Sequence, residues 1–437
     1  MKYNFLIGAP SSNSGKTIIT LGLIQALKNR GLNIQPFKCG PDYIDPIHHT
    51  HIADRSSYNL DVWMSEKEHV KALFNDKMQH ADVGIVEGVM GLFDGAKRDQ
   101  GSSAEIARIL NLPVVLIVNA AATAYSVAPL LFGFKNFRPD VKVKGVIFNR
   151  VSGESHYSFL KEAADDAGVV SLGYVPKNEN LTLESRHLGL SLTSSYSMQV
   201  AVRVASTLID KHVDLERLLS LSAFGESLQS TPLNQLPKAP LKIAIAQDDA
   251  FNFMYPANVD CLKQIGEVTM FSPLNDSVIP DVDLLWLPGG YPELYAKKLS
   301  GNKAMLKAIV QHEAKGGKIV AECGGMMYLG QSICLQDGSR YPMAGIFDYT
   351  TSLQNMKLKL GYRTVDVDGL QLKGHEFHYS HIDYVGSEQA DVLVKSARKR
   401  AVDMPVYRNQ NCWSSYFHMY LGELNQMKSF VKMIMDS

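Results

Sequence analysis

A cysteine stands between a strand-like run and a helix-like run in VAECGGMMYLG (Val320–Gly330). The apolar stretch Lys318–Ala321 leads into Cys323, and Gly324 and Gly325 follow. The pattern reads as a strand–turn–helix corner. Such a corner exposes a nucleophile and aims a helix N-terminus at it, which lowers a thiol's pKa. The two glycines allow backbone strain and close approach of a substrate. The plainer alternative is a small buried thiol. A thiolate needs a base. SSYFHMYL places His418 in an apolar, strand-like run far downstream, where a spatial partner can come from, although a satisfied core histidine fits the same pattern. LPGGYPEL puts Gly289 and Gly290 at another strand end, where free N–H groups can form an oxyanion hole.

A second chemistry is written at the other end. GAPSSNSGKT (Gly8–Thr17) follows a predicted strand and opens a predicted helix, the context in which backbone N–H groups and a helix N-terminus hold phosphates. Asn13, Ser14, Gly15, Lys16 and Thr17 are the expected ATP-binding residues. Lys16 reaches toward the β- and γ-phosphates, and the Thr17 hydroxyl is placed to ligate Mg²⁺. Pro10 occupies a position where the usual loop carries glycine, so the loop is a variant. VEGVMGLFDG then delivers Glu87 at a strand end, with Asp94 on the following loop, and Glu87 is a second expected magnesium ligand. FKCGPDYIDPIHHTH hangs Lys38, Asp42, Tyr43 and Asp45 over the same sheet edge, and Lys38 joins the ATP-binding set. His48, His49 and His51 have no matching ligand set elsewhere, so they read as a polar loop.

These groups need a scaffold that brings strand ends together. Tyr3–Ile7, Ile34–Phe37, Val83–Val86, Val114–Val118 and Val146–Phe148 are short apolar runs bounded by turn residues. Helical patterns over Gly15–Arg30, Glu66–Asp76, Ser103–Leu110 and His156–Ala167 separate them. Continuous apolar strands alternating with helices predict a parallel sheet covered on both faces. A second such set starts at Lys242–Ala246 and continues through Val268–Phe271, Leu284–Leu287 and Ile319–Ala321. Between the sets, residues 220–240 are polar and proline-bearing and read as a linker. Two α/β domains are therefore expected, 1–219 and 241–437, as a chain of 437 residues also suggests.

The bulk composition excludes other classes. Lys plus Arg and Asp plus Glu both total 44, so nothing electrostatic favours nucleic acid or a membrane surface. No apolar run spans a bilayer, and MKYNFLIGAP carries no signal-peptide pattern. Five cysteines without a CxxC pair argue against a disulfide framework or zinc ribbon and for a cytoplasmic location.

KCGPDYIDP, EGVMGLFDG, RHLGL, LPGGYPELYA, AECGGMMYLG and GHEFHYS occur in this order over nearly the whole chain. The set resembles the cobyrinic acid a,c-diamide synthases, a family of glutamine amidotransferases of cobalamin biosynthesis. The resemblance implies a P-loop, dethiobiotin-synthetase-like domain for ATP and the corrinoid, followed by a flavodoxin-like class I glutamine amidotransferase domain. It implies that Cys323 attacks glutamine and that His418 raises its nucleophilicity. Lys16 and Thr17 would hold ATP and Mg²⁺, and Glu87 and Asp94 match the family's acidic motif. Asp42, Tyr43 and Ile44 match the loop tied to substrate handling. The implied reaction is ATP-dependent amidation of the a and c carboxylates of cobyrinic acid, with glutamine or ammonia, through acyl phosphates. Its partners are small molecules only, in a homodimer.

Three stretches depart from the family pattern. Pro10, Ser11 and Asn13 stand in a loop usually richer in glycine. Tyr58 replaces the arginine of SRNLD. Tyr420 stands two residues after His418, where related amidotransferases carry glutamate. The rival readings are a,c-diamidation of another tetrapyrrole (hydrogenobyrinic acid or nickel sirohydrochlorin) and a ParA/MinD-like switch ATPase. The latter's signature lysine would fall at Ser11.

Overall fold

The computed structural model describes residues 2–181, 185–186, 189–190, 195–224 and 241–435. The chain divides into two compact units, 1–233 and 234–437. In the first, strands and helices alternate: β1 (Lys2–Gly8), α1 (Lys16–Asn29), β2 (Ile34–Cys39), α2 (Ile44–Ala53), β3 (Tyr58–Leu60), α3 (Lys67–Lys77), β4 (Val83–Glu87), α4 (Ser103–Ile109), β5 (Val114–Asn119), α5 (Val127–Asn136), β6 (Val143–Val151), α6 (Glu154–Asp166) and β7 (Val170–Pro176). These strands form one parallel sheet in the order β3-β2-β4-β1-β5-β6-β7. The two-residue strands β8 (Ser185–Arg186) and β9 (Gly189–Leu190) pair with each other. Helix α7 (Ser195–His212) packs against α1, and α8 (Leu215–Leu221) follows it.

The central strands are buried along most of their length, as an apolar parallel sheet between helix layers requires. The five expected strands and four expected helices all form, most of them a few residues longer or shorter than the pattern suggested. Helix α4 starts on the N-cap Ser102, whose hydroxyl accepts from Glu105 N, while the Glu105 carboxylate reaches back one residue further and accepts from Gly101 N at 2.7 Å.

One expectation changes. The start of the polar 220–240 stretch is not linker. Leu221 closes α8, and β10 (Ala223–Phe224) adds an antiparallel edge to β1. The remainder of that stretch, 225–240, lies outside the described residues, as do parts of RHLGL.

The second unit opens with β11 (Leu241–Ala246), α9 (Pro256–Ile265), β12 (Gly266–Phe271), β13 (Leu284–Leu287), α10 (Ala296–Gly301), α11 (Lys303–Ala314), β14 (Lys318–Glu322) and α12 (Gly324–Leu329). Then β15 (Ser332–Cys334), β16 (Arg340–Pro342), β17 (Tyr349–Ser352) and β20 (His381–Val385) make one small sheet. Strands β18 (Lys359–Val367), β19 (Leu370–His378), β21 (Leu393–Ser396) and β24 (Phe417–Met419) make another, antiparallel throughout. The main sheet runs β12-β11-β13-β14-β23-β22, with β22 (Val406–Arg408) antiparallel to β23 (Cys412–Ser415), and α13 (Leu424–Met435) is the last element among the described residues. The antiparallel sheet is absent from the sequence pattern. Its strands mix apolar and charged residues without clean alternation, so periodicity gives little signal. It nevertheless carries His418.

Candidate active sites

At the carboxyl ends of β1, β2 and β4, the first unit gathers charge. Gly15 caps α1 at φ 93°, a left-handed conformation natural only to glycine. A Cβ there would also meet Asn149 Nδ2 at 2.1 Å. Asn149, at the end of β6, donates to Ser14 O at 2.9 Å and so clamps the loop. Lys16 curls back over it and donates to Met90 O at 2.5 Å. Burial, with the neighbouring Lys38, draws the Lys16 ammonium below its usual range.

Thr17 Oγ1 donates to Glu87 Oε1 at 2.9 Å and stands 3.4 Å from both oxygens of Asp45. Lys38 bridges the two acids. It pairs with Asp45 and, at 3.0 Å, with Glu87 Oε1. The other Glu87 oxygen meets His49 Nε2 at 2.7 Å. Burial pushes the Glu87 carboxyl up, but Lys38 and His49 outweigh it and hold the group well below the carboxylate range. Burial likewise opposes the charge on Lys38, and Asp45 and Glu87 more than restore it. The set Thr17, Asp45 and Glu87 is all oxygen, and both acids already face the Lys38 ammonium, although burial and the nearby Asp42 push the Asp45 carboxyl up. Oxygen donors are the chemistry a hard divalent ion needs.

The remaining predicted residues sort by distance from this cluster. Asn13 is exposed on the loop at φ 62°. Asp42 caps α2, its carboxylate accepting from Ile44 N at 2.9 Å and Asp45 N at 3.0 Å. Tyr43 and Ile44 form the first turn of that helix. Asp94 accepts from Gly91 N at 2.9 Å and shapes the loop after β4. The three histidines correct the sequence expectation, because they lie on α2 and not in a polar loop. His48 and His49 are buried, and His49 orients Glu87. No group of three metal-ligating side chains of the His/Cys/Asp/Glu kind forms among the described residues. From the sequence, Asp45 stands at the sheet edge without an assigned role and His49 is set aside with the other loop histidines, while Asn149 is not found as a site member. Each is set by tertiary contact, though the Asp42-x-x-Asp45 spacing at a helix start is a usable signal.

The second unit builds a different site. Cys323 sits between β14 and α12 at φ 47°, ψ −100°, so the strain falls on the cysteine itself. Its N–H donates to Ser415 O at 2.8 Å. Gly324 and Gly325 serve close packing. A Cβ on Gly325 would lie 2.0 Å from Leu287 O, and one on Gly324 would lie 3.0 Å from Gly290 N. His418, on β24, packs on the preceding glycine, since a Cβ on Gly289 would meet its Cε1 at 2.4 Å. The residues flanking Cys323 and His418 are tied together: Met419 N donates to Glu322 Oε1 at 2.8 Å.

The expected exposed, acidified thiol is not what the structure holds. Cys323 is buried, its Sγ 3.7 Å from Phe377 O. Burial, then the nearby Glu293, push its pKa up. Helix α12 is too short to counter this with its dipole. His418 is buried as well, and burial and neighbouring imidazoles hold it well below its ordinary value, so it is neutral. Tyr420, in the place of the usual acid, packs edge-on against Tyr255.

The comparisons bear on both halves. Residues 5–190 match the CobQ/CobB/MinD/ParA nucleotide-binding domain, and residues 242–426 match the CobB/CobQ-like glutamine amidotransferase domain. A cobyrinate a,c-diamide synthase of Listeria innocua is 39% identical over 437 aligned residues, covering 95% of each chain. One from Caldanaerobacter subterraneus is 37% identical over 99% of this chain and 97% of its own. The chain belongs to the cobyrinate a,c-diamide synthase family. A hydrogenobyrinate a,c-diamide synthase of Brucella abortus, 40% identical over 90% of this chain and 92% of its own, is also similar. Membership in this family removes the switch-ATPase reading, which gives the second unit no role. It is consistent with both sites occurring in one chain: a charge cluster at a phosphate loop, and a unit that holds a buried thiol on a strained corner and a buried, neutral imidazole. No helix among the described residues is long and apolar enough to cross a membrane.

Proposed function

We propose that the two sites divide one amidation between them, the first activating a carboxylate and the second supplying nitrogen. The chain is an ATP-dependent, glutamine-hydrolysing ligase of cobalamin biosynthesis that amidates the a and c carboxylates of cobyrinate. A carboxylate has no leaving group, so ammonia does not displace its oxygen. Transfer of a phosphoryl group makes an acyl phosphate, which ammonia can attack with loss of phosphate. Lys16 and the loop amides bind the transferring group, and Asn149 keeps the loop in shape. Mg²⁺ would sit on Thr17, Asp45 and Glu87, where it supplies charge neutralisation on the phosphates. Lys38, already between the two acids, is poised to contact the same phosphates.

Ammonia is mostly protonated at neutral pH, and a local source avoids that. Cys323 Sγ bonds to the amide carbon of glutamine while its proton passes to His418. His418 then protonates the departing nitrogen, the C–N bond breaks, and water clears the thioester as glutamate. Because thiol and imidazole both rest neutral, proton transfer accompanies attack. N–H groups around Gly289, Gly290 and Gly324 form the oxyanion site. The five cysteines are free, which suits a reducing cytoplasm.

The observation that carries this reading is Cys323 held at φ 47° on a β14–α12 corner, with His418 packed on the adjoining glycine pair. The test is mass spectrometry of cobyrinate incubated with MgATP and glutamine, which should show two successive carboxyl-to-amide mass changes. Parallel incubations with hydrogenobyrinate and nickel sirohydrochlorin rank the tetrapyrroles. Cys323→Ala should lower glutamine-dependent synthesis on the order of 10³-fold or more and leave ammonia-dependent synthesis intact. Loss of both would refute a separate nitrogen-releasing site.

A further inference from the structure

In a Cys-His-acid triad the acid does two things: it fixes the imidazole plane and stabilises the imidazolium that forms as the nucleophile loses its proton. Here Tyr420 can do neither. Glu376, the acid nearest in the strand pairing, is committed elsewhere. It accepts from Arg363 Nε at 2.8 Å and Nη2 at 2.7 Å, and its other oxygen meets His378 Nε2 at 2.8 Å. His418 is held instead by another ring. Strands β19 and β24 set His375 opposite His418, and the two imidazoles stack with centroids 4.8 Å apart and planes 14° from parallel. His375 is itself anchored: its Nδ1 lies 3.0 Å from Tyr255 Oη, and Tyr255 comes from the entirely different element that opens α9. All three side chains are buried.

We propose that His375 is a positioning residue that replaces the missing triad acid, fixing the ring plane of His418 and offering its π-face to the imidazolium formed during attack. This rests on the reading of Cys323 as nucleophile and His418 as base. Burial and the nearby Arg363 depress the His375 pKa to about 3, so the stacked partner is an uncharged ring and does not repel the developing charge. Tyr255 fixes the tautomer and tilt of His375 through its hydroxyl, as outer partners do for other working histidines. The arrangement gives orientation in full and charge stabilisation in part.

The experiment is steady-state glutaminase kinetics on the full chain for His375→Leu, His375→Phe and Tyr255→Phe. His375→Leu should lower kcat about 10-fold to 100-fold with KM for glutamine within about 2-fold, since the loss falls on the step that charges His418. His375→Phe keeps a flat π-face and should recover kcat to within about 5-fold of wild type. Tyr255→Phe should lie between them. A leucine variant with undiminished kcat, a phenylalanine variant no better than leucine, or a loss confined to KM would each overturn the proposal. Should the leucine variant fail to fold, the phenylalanine variant decides alone: kcat below about a tenth of wild type rejects the stacking role. Failure of the underlying reading looks different, because Cys323→Ala would then keep its glutaminase activity.

Discussion

The phosphate loop and the thiol corner occupy equivalent places, each at the carboxyl end of a parallel strand that turns into a helix, yet they are furnished in opposite ways. Around Thr17 the buried groups form an ion-pair cluster in which Lys38 and Glu87 are held charged, while burial and Asp42 push the Asp45 carboxyl up against the pull of Lys38. Lys38, Asp45 and Glu87 lie within ion-pair distance, and His49 backs the last of them. Around Cys323 the thiol, Glu322 and the two stacked imidazoles are kept neutral, and the charged exception is Glu376, which is paired with Arg363 and His378. The thiol and Glu322 are pushed up, and His375 and His418 are pushed down, burial being the largest cause for each. The difference follows from what each reaction moves. Phosphoryl transfer shifts a large negative charge that fixed cations must meet, so the charges are installed in advance and cancel one another until substrate arrives. Thiol attack on an amide starts from neutral partners and creates charge only for an instant. A dry, uncharged site costs less to maintain and lets one proton travel with the attacking sulfur.

Removing a charge from the first site should therefore be far more damaging than removing one from the second. Lys16→Ala is the strongest case. The variant should lose amidation with glutamine and with ammonia alike, on the order of 10³-fold or more, while glutaminase chemistry at Cys323 survives. Product formation with each nitrogen donor, measured alongside glutamate release, separates the two halves. Normal turnover by this variant would take the phosphate loop out of the reaction and erase the contrast.

Next in size is the packing of the thiol corner. Gly325→Ala inserts a Cβ 2.0 Å from Leu287 O, a backbone atom of a central strand that cannot swing aside. Overpacking against backbone costs about 3 kcal/mol or more, and the corner has to deform. Thermal unfolding should show the second unit destabilised, with glutaminase activity falling in step. A variant as stable and active as wild type would mean that the corner is looser than its geometry indicates.

How much of this is legible in the sequence differs between the sites for a physical reason. Backbone-built features leave residue-type signatures. The Gly15-Lys16-Thr17 run and the Cys323-Gly324-Gly325 corner can be read because phosphate loops and tight corners demand particular residues at particular spacings. So can the parallel strands, whose continuous apolar runs fit little besides a sheet buried on both faces. Side-chain networks leave no such mark. Asp45 and His49 reach the nucleotide site from α2 and Asn149 from β6, and little in the local sequence marks the contacts they make there. The environment of Cys323 misleads in the opposite direction. Its corner is plain in the sequence, but pKa depends on what covers the thiol, and the cover comes from β19 in an antiparallel sheet whose mixed polarity hides it. The histidines of α2 mislead for the same reason: a polar-looking HHTH becomes a half-buried helix face once Glu87 lies beneath it.

The smallest effect probes the neutrality of the thiol site directly. Glu322, one residue before Cys323, is 1% exposed, and burial raises its pKa to about 8 even though Met419 N donates to it. In the unfolded chain the same carboxyl titrates near its ordinary value of about 4.3. Between these two values the folded protein binds more protons than the unfolded one, so this group's contribution to stability is complete at low pH and is lost as pH rises through about 8. Each unit of that interval corresponds to about 1.4 kcal/mol, and relaxation around the group lowers the realised total, so a loss on the order of 2 kcal/mol between pH 5 and pH 8 is expected. Glu322→Gln keeps the acceptor for Met419 N and has no proton to lose. It should match wild type at pH 5 and exceed it at pH 8, giving a flatter profile of unfolding midpoint against pH. Parallel profiles would show that Glu322 is ionised throughout, and the thiol would then follow a fixed negative charge in the chain rather than the neutral carboxyl that sets it apart from the phosphate loop.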